Sequence, residues 1–99
     1  MSTLVTQIEL PLATKVETDD NTLIVMLDDG RTVSVPLAWY PRLLHASPRE
    51  RGNWRLIGGG DGIHWPELDE DISVESLIAG RASGESQKSL QQWLNSRRT

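Results

Sequence analysis

A chain of 99 residues is the size of one ordinary domain, and the absence of cysteine excludes disulfides, thiolate metal sites and a cysteine nucleophile. Fourteen Asp and Glu against ten Lys and Arg leave a formal charge of −4, which opposes the phosphate backbone and argues against nucleic acid as a partner. No apolar run approaches the ~20 residues of a membrane span, and the first residues lack the basic-then-apolar order of a secretion signal, so the expected setting is the cytoplasm, away from membranes.

Residues 1–12 have weak periodicity and read as a flexible lead-in. From Ala13 the pattern becomes extended. Asp19-Asp20-Asn21 supplies a turn, because these side chains bond to nearby backbone and tolerate left-handed conformations. Thr22 to Leu27 is rich in β-branched and apolar residues and predicts a strand buried on at least one face. Asp28-Asp29-Gly30-Arg31 then carries the Asp-Gly pair of a tight hairpin. Beyond it, Val33, Val35 and Leu37 share one face while Thr32 and Ser34 take the other. A three-stranded antiparallel meander over residues 13–36 follows.

Pro36 and Pro41 stop that pattern. Leu37, Tyr40, Leu43 and Leu44 recur at helical spacing, predicting a short helix around Trp39 to His45. Ser47-Pro48-Arg49-Glu50 has the form of a helix start. Ser47 caps, Pro48 suits the first helical position, and Glu50 reaches back to the cap residue's N–H. Gly52 and Asn53 end that helix. Trp54 to Ile57 predicts a fourth strand, interrupted by Gly58-Gly59-Gly60 and extended or bulged by Gly62 to Trp65. Asp69, Glu70 and Asp71 precede a short helix capped by Asp71 or Ser73 and closed by Gly80, where acids favour the positive helix end. Residues 81–87 are polar and linker-like. In the last helix, Ser89 to Arg98, Leu90, Trp93 and Leu94 share one face, and Arg97-Arg98 suit its C-terminal end. The expected fold is α+β: a small antiparallel sheet of three to four strands with short helices packed on one face. It divides into a lead-in (1–12), one domain (13–80), and a polar linker with a C-terminal helix (81–99).

Several strings stand out: Val35-Pro36-Leu37 running into Tyr40-Pro41-Arg42-Leu43, then Arg51-Gly52-Asn53-Trp54. The most specific is Gly60-Asp61-Gly62-Ile63-His64-Trp65-Pro66 followed by Leu68-Asp69-Glu70-Asp71-Ile72-Ser73. Together they resemble a family of short bacterial proteins, domain of unknown function 2442. The resemblance implies a compact α+β domain and no particular activity. Some members of that family carry a helix-turn-helix after this domain, but the residues after Gly80 have room for one helix, so DNA binding by that route is not expected. Other members resemble halves of toxin–antitoxin pairs, which implies a protein partner.

Two constellations bear on chemistry. The first is the loop from Gly58 to Asp71, with Gly59, Gly60, Asp61, His64, Trp65, Asp69 and Asp71 as its candidate residues. Consecutive glycines let backbone N–H groups approach an anion, but the Gly-Lys-Ser/Thr ending of a phosphate-binding loop is missing, and a glycine turn between two strands is the competing reading. One imidazole among scattered acids does not make a metal site, and no metal or cofactor is expected. His64 as a general base would need Ser73 or Ser47 as nucleophile, without any nucleophile elbow to present it. The second constellation is Trp39, Tyr40, Arg42 and Trp93, residue types that dominate binding hot spots. Core packing competes at each. A non-enzymatic module acting on a protein partner, or through self-association, is the leading expectation. A small-molecule, anion-binding or catalytic loop is the alternative. A nucleic-acid-associated regulator, using Arg42, Arg49, Arg51 and Arg55, is the third.

Overall fold

The computed structural model describes residues 9–97. Most of the expected lead-in, residues 1–8, and Arg98 of the expected C-terminal Arg pair lie outside the described residues. The first sheet is the expected meander, with β1 (Ala13–Thr18), β2 (Thr22–Leu27) and β3 (Thr32–Pro36) in antiparallel order. Asp19 accepts hydrogen bonds from the N–H groups of Asn21 and Thr22, which fixes the first turn. Asp29 does the same for Arg31 at the second. A bulge between Ala13 and Lys15 inserts Thr14, so Ala13 and Val16 both point inward although they are three residues apart. Leu23, Val25 and Leu27 of β2 join them in the core.

Pro41 splits the single helix expected around Trp39 to His45. A 3-10 turn (Leu37–Trp39) ends at Tyr40, whose backbone leaves the helical region as a residue before proline does, and α1 (Pro41–Leu44) begins at the proline. Helix α2 (Pro48–Gly52) has the full capping box: Ser47 Oγ accepts from Glu50 N–H, and the Glu50 carboxylate accepts from Ser47 N–H.

The second half departs from a single sheet of three to four strands. β4 (Arg55–Ile57), β5 (Gly62–Trp65) and β6 (Glu70–Ser73) form a separate three-stranded antiparallel sheet, so the α+β class holds, with six strands in two sheets among the described residues. The glycine triplet is the turn between β4 and β5. It is drawn in so closely that a Cβ on Gly60 would stand 2.6 Å from the Ala13 carbonyl oxygen, at a φ of +117° that side chains rarely adopt. The acids before the helix α3 (Val74–Ala79) are not a helix-end charge cluster. Glu70 and Asp71 are strand residues, and Asp69 closes the β5–β6 hairpin at a φ of +51°, a position normally given to glycine. Ser73, not Asp71, caps α3, and Gly80 ends it in the left-handed conformation.

The core lies between the sheets. Trp65 has no exposed surface and its indole N–H donates to the Arg51 carbonyl at 3.0 Å. Around it pack Leu23, Leu43, Ile63, Leu68 and Ile72. Helix α4 (Gln87–Ser96) returns from the linker and docks with no fully buried residue of its own. Among the described residues no helix is long and apolar enough to cross a membrane.

Candidate functional site

Strand β6 is one edge of the second sheet, and its residues alternate in direction. Glu70 and Ile72 face the core side, opposite Trp65 and Ile63 of β5, while Asp71 and Ser73 face out, opposite His64 and Gly62. Across the edge of β6 runs the segment Arg81 to Gly84. It is pinned by Ser83 N–H donating to the Trp39 carbonyl and by the Tyr40 hydroxyl donating to the Arg81 carbonyl. Between strand and segment opens a cleft of about 560 Å³, within the size range of small-ligand sites. Tyr40, Ile57, Asp61, Glu70, Asp71 and Arg81 line it.

Glu70 is the distinctive group in that wall. It is half-buried, and its carboxyl is pushed up to about 7, mainly because burial removes water from the charged form. Arg42 opposes this, while Glu85, Asp71 and Asp69 reinforce it. Arg42 cannot neutralise Glu70 because its guanidinium is already committed. It grips the Glu85 carboxylate through Nε and Nη2, at 2.7 Å for the closest pair, and donates through Nη1 to the Leu68 carbonyl. Burial also raises the Tyr40 hydroxyl, with the Glu70 charge adding to it. A carboxyl poised near neutrality in a cleft can accept from a cationic ligand when ionised, or donate a proton when not.

The interaction candidates are engaged within the chain. Tyr40 is 3% exposed and belongs to the core, with its hydroxyl on the linker carbonyl. Trp39 is half-buried and packs against the core. The guanidinium carbons of Arg42 and Arg97 stand 5.2 and 4.4 Å from the Trp93 ring centre, so Trp93, Arg42 and Glu85 form a clasp that holds α4. Three of the four arginines weighed as a basic patch, Arg42, Arg49 and Arg51, are likewise occupied, while Arg55 is exposed on β4. Arg49 pairs with Glu67, and Arg51 is buried, donating to the Leu43 and Ala46 carbonyls.

In the loop set, Gly59 and Gly60 make the β4–β5 turn, Trp65 is core, and Asp69 closes a hairpin, so only Asp61 and Asp71 reach the cleft. His64 bonds Asp71 across the outer face of the sheet. It gains no nucleophile there. Ser73 Oγ accepts from Ser76 N–H and donates to Ser76 Oγ, and Ser47 Oγ is occupied as a helix cap. Among the described residues no group of three or more His, Asp or Glu could hold a metal ion. Glu70 and Arg81 are the site residues that sequence reading missed. The usable signal for Glu70 was the two-residue alternation Glu70, Ile72, Val74, which puts the acid on an apolar face.

A family model described as "Protein of unknown function (DUF2442)" matches residues 13–83, ending before α4. No curated protein matches. Two solved structures are similar. A crystal structure of a protein of unknown function from Rhodospirillum rubrum is 31% identical with a TM-score of 0.69, covering 80% of this chain and 98% of its own. A solution NMR structure of an uncharacterized protein from Chromobacterium violaceum is 20% identical with a TM-score of 0.66, covering 90% of this chain and 82% of its own, and it bears on the fold alone.

Proposed function

Because the chain belongs to the DUF2442 family, whose description assigns no activity, we propose a role from the cleft itself: a binding module that takes a cationic group and performs no chemistry on it. The observation that carries this reading is Glu70, a half-buried carboxyl acted on by burial and by neighbouring charges, in a wall whose other acids are Asp61 and Asp71 and whose one lining cation is Arg81. An entering ammonium or guanidinium replaces the water that burial has removed and lets Glu70 ionise, forming a charge-assisted hydrogen bond. Ile57, 40% exposed at the same cleft, offers apolar contact to the stem of such a group. A partner surface built on Trp39, Tyr40, Arg42 and Trp93 has less support, because Tyr40 is buried in the core and Arg42 and Trp93 are engaged with each other.

The test is a titration with Nα-acetyl-lysine methylamide, followed through the backbone amide resonances. At about pH 8 and up to about 10 mM ligand, above the dissociation constant of a weak charged contact, the amides of Asp61, Glu70 and Asp71 are expected to shift together. The uncharged norleucine analogue is expected to leave them in place, as is lysine added to Glu70→Gln. Equal shifts from lysine and norleucine, or none from either, would contradict the reading.

A further inference from the structure

The cleft contains more than side chains. Val74 N–H donates to the Asp61 carbonyl at 2.9 Å, which makes that pair the hydrogen-bonded kind in the antiparallel ladder. Alternation then makes Ile72 with Ile63 and Glu70 with Trp65 hydrogen-bonded pairs as well. Ser73 with Gly62 and Asp71 with His64 are the other kind. In those pairs the backbone of β6 turns away from β5, so the Asp71 N–H and C=O and the Ser73 N–H point off the free edge. Both residues line the cleft. A strand edge is a template for another strand, and here the acids Glu70, Asp61 and Asp71 stand beside it.

We propose that the occupant of the cleft is an extended peptide segment carrying a lysine or arginine, added as a short strand to the edge of β6 beneath the segment Arg81 to Gly84. This deepens the cation-binding reading and rests on it. The edge supplies backbone pairing, and Glu70 selects the basic side chain while Asp61 and Asp71 add negative charge at the cleft, the combination by which strand addition acquires specificity. Alternating side chains on a strand point to opposite faces, so one basic residue faces Glu70 while its neighbours face away. The cleft volume suits a segment of a few residues rather than a folded surface. Charge gives the preference for a basic over an acidic peptide, since the cleft's three acids outnumber its one cation.

The experiment compares three probes on the full chain: acetyl-Val-Lys-Val-amide, the same tripeptide methylated at each backbone nitrogen in turn, and Nα-acetyl-lysine methylamide. The tripeptide is expected to bind at least about ten-fold more tightly than the single lysine, and methylation of the pairing nitrogen to remove about that factor, the worth of roughly one hydrogen bond. Hydrogen exchange at the Asp71 and Ser73 amides is expected to slow on tripeptide binding, while that of Ile72, already paired with β5, stays as it was. If the lysine derivative binds but the tripeptide is no tighter and every methylated form binds equally, edge pairing is overturned and the cation site stands. Should no probe bind, both readings fall together. A tripeptide with norleucine binding as well as the lysine form would overturn the charge selection.

Discussion

The body of the domain and its C-terminal helix are held by different forces. From Ala13 to Ala79 the core is apolar: Trp65, Leu23, Ile63 and Leu68 are fully buried, and their stabilisation follows the area removed from water. Helix α4 buries no residue completely and is fastened by Arg42 to Glu85, Arg97 to Glu50, and the two guanidinium groups over Trp93. The first kind of cohesion is indifferent to salt and weakly sensitive to pH. The second is sensitive to both. The cleft lies where the two meet, walled by β6 on one side and by the strap leading to α4 on the other, so the clasp sets one wall of the site.

Substitutions separate the two regions, beginning with the core. Trp65→Ala should cost about 3–5 kcal/mol and unfold body and helix together in a denaturant titration; loss of α4 alone would show that the body does not depend on its core as argued. Gly60→Ala should cost about 2–3 kcal/mol, since the new Cβ meets the Ala13 carbonyl at a φ that only glycine adopts easily. Arg42→Ala should act on the clasp at about 1–3 kcal/mol. Its expected signature is fast amide exchange across residues 87–96 with exchange in β2 unchanged. Arg49→Ala removes an exposed pair with Glu67 and should leave the denaturant midpoint essentially unchanged, a control for charge without burial.

Acidity should divide the regions in opposite directions. Glu50 and Glu85 sit below their ordinary range, chiefly through hydrogen bonds from Arg97 and Arg42. Their contribution is present above the unfolded value of 4.5 and is lost as pH falls through the folded value, so α4 should loosen in acid. Glu70 is raised from 4.5 to about 7, so the folded chain binds its proton more tightly than the unfolded chain does. Stability therefore falls as pH rises between those values. Glu70→Gln should melt a few degrees or so above the parent at about pH 8, with the difference vanishing below about pH 4.5.

The first sheet was legible because everything that specifies it is local. Asp19 and Asp29 bond to residues two or three positions on, and the alternation of Val33, Val35 and Leu37 needs no partner to be seen. The second sheet was half hidden. Its β5–β6 turn uses Asp69 where glycine would have announced it, and β6 is four residues long with acids in half its positions. The capping box of α2 and the Gly80 stop were read correctly for the same local reason. The site was the least legible part. Glu70 owes its character to burial and to Arg42 and Glu85, and that Arg–Glu pair joins residues 43 apart in the chain. Trp39, Tyr40, Arg42 and Trp93 stood out by residue type, but composition could not say whether such residues grip a partner or pack within the chain itself.

The most direct test is a titration of the Glu70 side-chain carboxyl by carbon-13 NMR in the full chain. A midpoint near 7, moving down when Nα-acetyl-lysine methylamide is added, is the predicted result, because a cation in the cleft favours the ionised form. A midpoint near the ordinary 4.5, or one near 7 that the added lysine derivative leaves unmoved, would contradict the account.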